Sequence, residues 1–393
     1  MSNRGWMRGL VCAALAGGLG PVLAGCAADG ETAGLQALVD VLGAAIQSPA
    51  VRLVGGDAER YCYLQTSPAN AALDAPVRGT VYVVDLGTGG VEQVASDIEL
   101  LNPLFGDDVA CDGQYAVWPD RAGTGVVVLD LATGETQKLA EAYDFRQSPP
   151  AEPRVRDGHA ALLHVASNDD AIATSIVWID IASGEVQAVA TDWPYPAFDV
   201  AGERLAYHTQ PSGTVNIRSL ELGADLYVMD FTTGARFTVA TNRRVTGDGG
   251  TVFLHEGEVL WHEFVGGSFT EHVRAYDLTT QQTRPLFNDV VASAGAGTNR
   301  HVRLADVSAA GVLLDAETGA VLRGGVSGRL TYAAFDGARN RIMDYRYTVL
   351  TPGSAFHDAQ LNGAWVVRLD VANRRIVARN LTSGAQRTLE VDL

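Results

Sequence analysis

The sequence is poor in basic residues, and this shortage excludes two classes of function. Among 393 residues there is one lysine, Lys138, and the 46 acidic side chains outnumber the 29 basic ones. The formal net charge of −17 excludes a protein that binds nucleic acid by neutralising phosphates, because that binding needs a basic surface. Lys138 does not follow a G-x-x-x-x-G pattern, so a phosphate-binding loop of that type is absent.

Long apolar runs and common hydrolase motifs are also missing. After residue 26 no segment approaches 18 uninterrupted apolar residues, so the sequence predicts no membrane-spanning helix. His255 and His262 are each followed by glutamate, but they lie seven residues apart in a stretch typical of a strand and do not form H-E-x-x-H. No G-x-S-x-G elbow occurs. With 47% apolar and 19% charged residues, the composition fits a folded, water-soluble body.

The first 26 residues have the order of an export signal. Arg4 and Arg8 precede an uncharged, mostly apolar stretch at residues 9–22, which is too short to span a bilayer. The stretch ends in L-A-G-C at residues 23–26, and this resembles the lipobox of bacterial lipoproteins. The resemblance implies cleavage before Cys26 and attachment of a diacylglycerol to it. An ordinary secretory signal is the alternative, and both interpretations export the protein.

These features predict a lipoprotein signal peptide at residues 1–25 and a lipidated tether with a short helix at 26–50, followed by a folded domain at 51–393. Acyl chains would anchor the protein to a membrane without a span. Ala27 replaces the aspartate associated with inner-membrane retention, so the resemblance implies a bacterial outer-membrane location in the cell envelope. Cleavage removes two positive charges and takes the net charge from −17 to −19.

The tether is predicted to contain one amphipathic helix at residues 32–47. Its apolar residues recur at helical spacing and are Leu35, Leu38, Val39, Leu42, Ala45 and Ile46. We expect this helix to pack on the domain at residues 51–393.

Two cysteines remain after export. Cys12 leaves with the signal and Cys26 carries lipid, so Cys62 and Cys111 form a candidate disulfide in an oxidising envelope. Two buried free thiols are the alternative.

The rest of the chain is built from a repeat. An apolar strand ends in an acidic residue and is followed by a turn with Thr or Ser before Gly, as in V-V-V-L-D-L-A-T-G at residues 126–134. The acidic positions are predicted to be structural turn anchors and are Asp85, Asp130, Asp180, Asp230, Asp277 and Asp315. They are separated by 45, 50, 50, 47 and 38 residues, a period typical of propeller blades.

The repeat predicts an all-β fold, a seven-bladed β-propeller of four-stranded antiparallel blades. Residues 51–393 divided by a period of about 48 give about seven blades, and six or eight are alternatives. In each blade the repeat would be the third strand and its turn. Residues 109–110 with 114–118, 198–200 with 204–208, and 331–335 with 341–345 are assigned as first and second strands.

The repeat resembles those of TolB-like and WD-repeat-like propellers of the bacterial envelope, which carry D-x-x-T-G turns at a similar period. It is also similar to that of quinone-dependent dehydrogenases. Those enzymes have a tryptophan four residues after the glycine, where this sequence has residues such as Lys138, Ala188 and Thr238. The resemblance therefore implies a fold and no quinone, and we predict no cofactor.

Long, aromatic-containing connections are predicted on the face opposite the Thr-Gly turns, and these are candidates for binding. The residues selected on this face are Tyr143, Asp144, Arg146, Trp193 and Tyr195. The alternative is that the proline-flanked aromatics seal adjacent blades.

Three histidines, His164, His208 and His262, align at equivalent positions of the second strands in three consecutive blades, and they join the candidate binding face. They suggest a metal site on one rim, although ligands of one metal must converge more closely than neighbouring blades allow. Structural hydrogen bonding is the alternative, and we assign no metal.

The sequence therefore predicts a monomeric, lipid-anchored envelope propeller that binds a protein or glycan and does not bind nucleic acid. No catalytic residue is assigned. The alternative is a propeller-fold enzyme, a polysaccharide lyase or a hydrolase, including a metal-dependent one. Oligogalacturonate lyases, which hold a metal with histidines, are similar to this chain at the level of the fold alone.

Overall fold

The computed structural model of this chain describes most of the repeat region. The described residues are 51–67, 77–100, 108–146, 151–168, 171–191, 196–209, 222–245, 251–265, 270–287, 300–309, 311–318, 326–335, 339–347, 359–370 and 373–391. The predicted signal peptide, Cys26 and the helix at 32–47 lie outside these ranges. Within them, no helix has the length and apolar character needed to cross a membrane.

The described residues form 28 strands, which we group in chain order into seven units of four. Unit 1 contains β1 (Val51–Gly56), β2 (Arg60–Thr66), β3 (Val77–Asp85) and β4 (Val91–Leu100). Unit 2 contains β5 (Ala110–Cys111), β6 (Tyr115–Pro119), β7 (Val126–Asp130) and β8 (Thr136–Leu139). Unit 3 contains β9 (Arg154–Arg156), β10 (His159–Asn168), β11 (Ala171–Asp180) and β12 (Val186–Thr191).

The remaining four units follow the same plan. Unit 4 contains β13 (Phe198–Ala201), β14 (Arg204–Thr209), β15 (Leu222–Asp230) and β16 (Ala235–Val245). Unit 5 contains β17 (Val252–His255), β18 (Glu258–Val265), β19 (Thr270–Asp277) and β20 (Gln282–Phe287). Unit 6 contains β21 (Arg300–Ser308), β22 (Gly311–Thr318), β23 (Val326–Ala334) and β24 (Arg339–Tyr347). Unit 7 contains β25 (Ala359–Asn362), β26 (Trp365–Asp370), β27 (Arg375–Asn380) and β28 (Gln386–Glu390).

Every unit is a four-stranded antiparallel meander, which confirms the all-β class and the predicted four-stranded sheets. The first strand of each unit contacts the first strand of the next, and β25 contacts β1, so the first strands form a circle of contacts. Units 1 and 2 are further joined into one eight-stranded sheet by parallel pairing of Gly55 with Cys111.

The core lies between the units. Each of the seven clusters of buried apolar side chains in the described residues combines two neighbouring units. Because both faces of a sheet are covered, second strands are apolar without alternation, as in Ala161, Leu162 and Leu163, which are all at most 1% exposed. This packing explains the lack of a simple polar–apolar alternation in these strands.

Among the described strands, the circle closes between units 1 and 7 with no strand exchanged between them. Unit 1 is made from residues 51–100 and unit 7 from residues 359–390. A cluster that includes Val51 and Tyr61 of unit 1 and Val367 and Ile376 of unit 7 fills the seam. Arg387 Nη2 also donates to the carbonyl oxygen of residue 87 at 2.8 Å. Side chains therefore hold the seam, whereas the junction of units 1 and 2 also has backbone pairing.

A disulfide crosses the boundary between units 1 and 2. Cys62 of β2 is bonded to Cys111 of β5, with an S–S distance of 1.98 Å. Next to it, Gly55 has φ +125°, and a Cβ there would lie 1.8 Å from the carbonyl oxygen of Cys111. The parallel pairing of β1 with β5 thus requires glycine at this position.

Five of the predicted turn anchors lie at the turns after third strands. Asp130 is typical: its Oδ1 accepts the backbone N–H groups of Ala132 at 2.8 Å and Thr133 at 3.0 Å. Gly134 follows with φ +72° and donates its N–H to the Asp130 carbonyl at 2.8 Å. The backbone hydrogen bond from Thr133 lowers the pKa of Asp130. The equivalent carboxylates are those of Asp85, Asp180, Asp230 and Asp277.

The assignment of Asp315 as a turn anchor is wrong. Asp315 lies inside β22, where it pairs with Arg303 on one side and Leu330 on the other. The neighbouring Val312, Leu313 and Leu314 are all buried, as in a second strand covered on both faces. The stretches at 331–335 and 341–345, predicted as first and second strands, consequently belong to β23 and β24, the third and fourth strands.

Candidate functional site

The described part of the long connection after β8 forms a compact group that we call the His164 cluster. It consists of Tyr143, Asp144, Phe145 and Arg146 from the connection and His164 from β10. The His164 ring meets Tyr143 edge-on with centroids 5.2 Å apart and Phe145 edge-on at 5.3 Å. Four of the predicted binding residues, Tyr143, Asp144, Arg146 and His164, are therefore brought together.

The polar half of this cluster is an ion pair at the surface. Arg146 donates from Nε to Asp144 Oδ1 at 2.9 Å and from Nη2 to Asp144 Oδ2 at 2.6 Å. The hydrogen bond from the Arg146 side chain lowers the pKa of Asp144 to about 2. Burial lowers the pKa of His164, although Asp144 opposes the shift. At neutral pH the site thus presents a neutral imidazole next to a paired carboxylate and guanidinium.

A buried ion pair fixes the connection that carries this cluster. Arg121 donates to both carboxylate oxygens of Asp108, at 2.7 and 3.0 Å, and both side chains are almost fully enclosed. Arg121 Nη1 also donates to the carbonyl oxygen of Phe145, and Asp108 Oδ1 accepts the backbone N–H of Ala151 at 3.0 Å. The connection is held at two points, so the aromatic rings sit on a rigid base.

The three predicted rim histidines do not share one register. His208 and His262 lie four residues after Arg204 and Glu258, which pair with the turn anchors Asp230 and Asp277. His164 lies five residues after His159, the partner of the anchor Asp180. Because side chains alternate between the faces of a strand, His164 is on the opposite sheet face from the other two. The predicted equivalence of the three positions is therefore wrong.

The structure gives the other two histidines structural surroundings. His262 Nδ1 lies 2.7 Å from the Thr251 hydroxyl, and His208 is fully buried in unit 4. Within the described ranges no group of three or more His, Cys, Asp or Glu side chains is placed to hold a metal ion, and these three histidines form no such group. Trp193 and Tyr195 of the predicted binding face lie outside the described residues.

A second polar group, which sequence reasoning missed, lines the circle of first strands. We call Arg156, Asp199, His255 and Asp306 the axial cluster; they come from units 3, 4, 5 and 6. Asp199 Oδ2 accepts the backbone N–H of Leu254 at 2.8 Å, and Arg156 Nη1 donates to the carbonyl oxygen of Leu254. A first strand such as β17 is hydrogen-bonded to a neighbouring strand along one edge only. The backbone N–H and C=O groups of its free edge therefore need side-chain partners such as these.

Asp306 performs the same task between units 6 and 7. Its Oδ2 accepts the backbone N–H of Leu361 at 2.6 Å, and its Oδ1 accepts that of Val307 at 2.8 Å. Burial raises the pKa of Asp306 to about 6. The pKa of Arg156 is raised chiefly by Asp199, while burial and the charge of Arg156 lower the pKa of His255. These four groups therefore form one electrostatically linked set.

Comparisons with known proteins support the β-propeller and no finer assignment. The chain is similar to the β-propeller domain of the Trilobed protease from Pyrococcus furiosus, described as having an open velcro topology, with a TM-score of 0.56, 12% identity, and coverage of 88% of this chain and 99% of that chain. It is also similar to the acylaminoacyl peptidase of Pyrococcus horikoshii, with a TM-score of 0.58, 13% identity, and coverage of 87% of this chain.

The likeness to the complete peptidase extends over part of that protein, because this chain spans about half of its length, 53%. At such low identity the likeness establishes the fold alone. No family model and no curated protein sequence matches the chain.

Proposed function

We propose that the protein is a seven-bladed β-propeller, lipid-anchored at the bacterial cell envelope, that binds a peptide or glycan substrate on its long-loop face as the propeller of an enzyme. The circle of first strands and the seven interface clusters support seven blades, one for each unit. The L-A-G-C sequence supports anchoring through Cys26, with Ala27 favouring the outer membrane. The resemblance to TolB-like envelope propellers belongs to the same proposal.

The His164 cluster is the observation that carries the binding proposal. Phe145 is fully buried, so the aromatic surface open to a ligand is that of the partly exposed Tyr143 and His164 rings. Such rings beside a charge-paired carboxylate and guanidinium suit ligands that have both apolar surface and hydrogen-bonding groups, as peptides and sugars do. The rigid base provided by Asp108 and Arg121 means that little ordering would be needed on binding. Half-exposed Arg146 and Asp144 are free to exchange part of their pairing for a ligand.

The enzyme context is favoured over a passive scaffold by the likeness to propellers of peptidases. The described residues supply a binding surface and no assigned nucleophile or metal set, so the substrate-binding role is the part that the geometry supports. A scaffold that binds an envelope protein through the same face is the second candidate, because the cluster would equally suit a protein side-chain anchor.

The test is a binding screen of the purified chain against short peptides and neutral and acidic oligosaccharides, followed by assays for their cleavage. Arg146→Ala and His164→Gln should each weaken binding of a ligand found in the screen by about tenfold, the usual effect of losing a hydrogen bond to a charged group. Arg284→Ala is the matched control, since Arg284 makes a similar exposed two-oxygen pair with Glu258 in unit 5.

Equal affinities for the three variants and the unaltered protein would refute the assignment of the site. Metal analysis and melting with and without a chelator test the metal-dependent alternative, in which a bound transition metal and a chelator-sensitive melt are expected. Cross-linking to an envelope protein through Tyr143, with no cleavage of any substrate, would favour the scaffold.

A further inference from the structure

Two arginines of unit 7 share one carboxylate. Arg375 donates from Nε to Asp370 Oδ2 at 3.0 Å, and Arg368 Nη1 lies 3.9 Å from the same oxygen. Between described residues, the other ion pairs of arginine with a carboxylate each join one guanidinium to one carboxylate. In a chain with a formal net charge of −17, this is a local surplus of positive charge.

The carboxylate of Asp370 is already occupied by its own turn. Its Oδ1 accepts the backbone N–H of Asn373 at 3.3 Å, and both oxygens lie 3.0 Å from Asn373 Nδ2. With Arg375 Nε on Oδ2, each oxygen has two donors. Although burial opposes the shift, the hydrogen bonds from Asn373 and Arg375 lower the pKa of Asp370. Asp370 is therefore ionised at neutral pH and has little remaining capacity to accept from Arg368.

The two guanidinium groups have N–H donors that the described residues do not use. Arg368 makes no hydrogen bond to any of them, although its side chain is only 23% exposed. Arg375 uses Nε alone, and both of its Nη atoms remain. Burial lowers the pKa of Arg368, Asp370 opposes this shift, and the charge of Arg375 lowers the pKa further. A guanidinium group that is removed from water without hydrogen bonds is destabilising, so these donors point to an anionic ligand.

Both guanidinium groups lie on one side of the unit 7 sheet and converge. Asp370 is directly opposite Arg375 in the pairing of β26 with β27, and Arg368 lies two residues before Asp370, so the three side chains share a face. Ala359, opposite Arg368 in β25, packs against the apolar cluster between units 6 and 7. Since both approach Asp370 Oδ2, Arg368 Nη1 and Arg375 Nε are less than 7 Å apart. One anion with two oxygens, each accepting at about 2.8 Å, can bridge them.

The pair lies at the end of the sheet that carries the long connections. β26 ends at Asp370 and β27 begins at Arg375, so these residues flank the connection between a second and a third strand. In an antiparallel meander this connection is at the same end as the connections between units, one of which carries the His164 cluster. Arg368 and the His164 cluster are therefore on the same face of the ring, in different units.

We propose that Arg368 and Arg375 form a binding site for a carboxylate group of a ligand. Two guanidinium groups and Asp370 leave one surplus positive charge, which a single carboxylate neutralises, whereas a phosphate dianion would add a second negative charge beside Asp370. The ligand is either a peptide carboxyl terminus or a uronic acid unit of a glycan, which share this group. The site is separate from the His164 cluster and does not rest on the function proposed for it.

The experiment is calorimetric titration of the purified full chain at pH 7 with two matched pairs of probes. N-acetyl-glycyl-glycine is compared with N-acetyl-glycyl-glycinamide, and methyl glucuronoside with methyl glucoside. At least one carboxylate should bind, and its neutral counterpart should bind at least about tenfold more weakly. The tighter carboxylate identifies the ligand as a peptide terminus or a uronic acid. No binding of either carboxylate, equal binding of the neutral counterpart, or tighter binding of inorganic phosphate would overturn the proposal.

Three variants place the binding at these side chains. Arg368→Gln should weaken the carboxylate probe by about tenfold, with little change in melting temperature because no hydrogen bond to a described residue is lost. Asp370→Asn should strengthen binding by about fivefold, since a repelling charge is removed while the amide oxygen still accepts from Asn373.

Arg204→Gln is the matched control. Arg204 is an exposed arginine with one carboxylate partner, Asp230, at the opposite end of its sheet, and this variant should bind the probes like the unaltered protein. Unaltered affinity in Arg368→Gln, or an equal loss of affinity in Arg204→Gln, would show that the carboxylate binds elsewhere.

Discussion

The replacement Gly55→Ala tests the junction between units 1 and 2 most directly. The added Cβ would lie 1.8 Å from the carbonyl oxygen and 2.9 Å from the carbonyl carbon of Cys111, whereas real Cβ contacts are no shorter than 3.0 Å. Both obstacles are backbone atoms, so no side chain can rotate away. The two strands would have to separate by more than about 1 Å, which weakens their parallel pairing.

The expected cost has two parts. Holding alanine at φ +125° costs about 1–3 kcal/mol, and relieving the overlap costs about 1–3 kcal/mol more. Alanine also makes the unfolded chain less flexible, which stabilises the folded state by about 0.4–1 kcal/mol. We therefore expect the free energy of unfolding to fall by about 1–6 kcal/mol.

Gly134→Ala is the matched control for this variant. Gly134 also has positive φ, at +72°, but a Cβ there would meet no atom within 4 Å. Only the left-handed backbone conformation is then penalised, by about 1–2 kcal/mol. Both variants would be measured by urea unfolding with circular dichroism. Equal losses of stability in the two variants would refute the reasoning that the close approach of β1 and β5 requires glycine.

Four further predictions concern separate features. Cys26→Ala should move the protein from the membrane to the soluble fraction, and a variant that stays membrane-bound would contradict the lipobox assignment. Asp130→Ala should lower the free energy of unfolding by about 1 kcal/mol through loss of its turn hydrogen bonds, and an unchanged melting temperature would argue against a structural anchor. Arg121→Ala should cost about 3–5 kcal/mol because it leaves Asp108 buried without its counter-charge, and adding Asp108→Asn should recover part of the loss. Asp306 has a pKa of about 6 in the fold against 3.8 as the ordinary value, so the folded state binds its proton more tightly. Its contribution to stability is thus full below about pH 4 and is lost as the pH rises through about 6, by up to about 3 kcal/mol, and Asp306→Asn should remove this decline in pH-dependent unfolding curves.

The repeat predicts the fold well where the stabilising hydrogen bonds lie within a single turn. An Asp that accepts the N–H groups of its own turn, followed by glycine at positive φ, is determined by five neighbouring residues, so Asp130 and Asp180 could be placed from sequence. The same turn forms with other residues. In unit 7, Asn380 takes the place of the aspartate, and in unit 5, Gln281 adopts φ +57° at the position that is glycine in Gly134 of unit 2. The strand assignment in unit 6 is wrong because the second strand around Asp315 has the sequence pattern of the repeat but does not form the turn.

The axial cluster could not be predicted in the same way. Its residues lie on first strands as short as three residues, and Arg156 and Asp306 are separated by 150 positions. Their meeting depends on the register of one unit against the next, which local patterns do not encode. Aligning the units at the hairpin after each first strand would have placed Asp199 and Asp306 at one position. A one-residue difference in register likewise separates His164 from His208 and His262.

The way the ring closes has a consequence for how the chain acquires its structure. In a ring closed by an exchanged strand, the first sheet must wait for the last segment of the chain. Here, in the part of the chain that the structure describes, the four strands of each unit come from one stretch of at most about 50 residues. Unit 1 takes side-chain packing at the seam from residues 359–390, and no strand. Units can therefore form one after another from the amino terminus as the chain emerges from a ribosome. By the same logic, duplication or loss of one repeat in the gene would add or remove a whole sheet and leave the others intact.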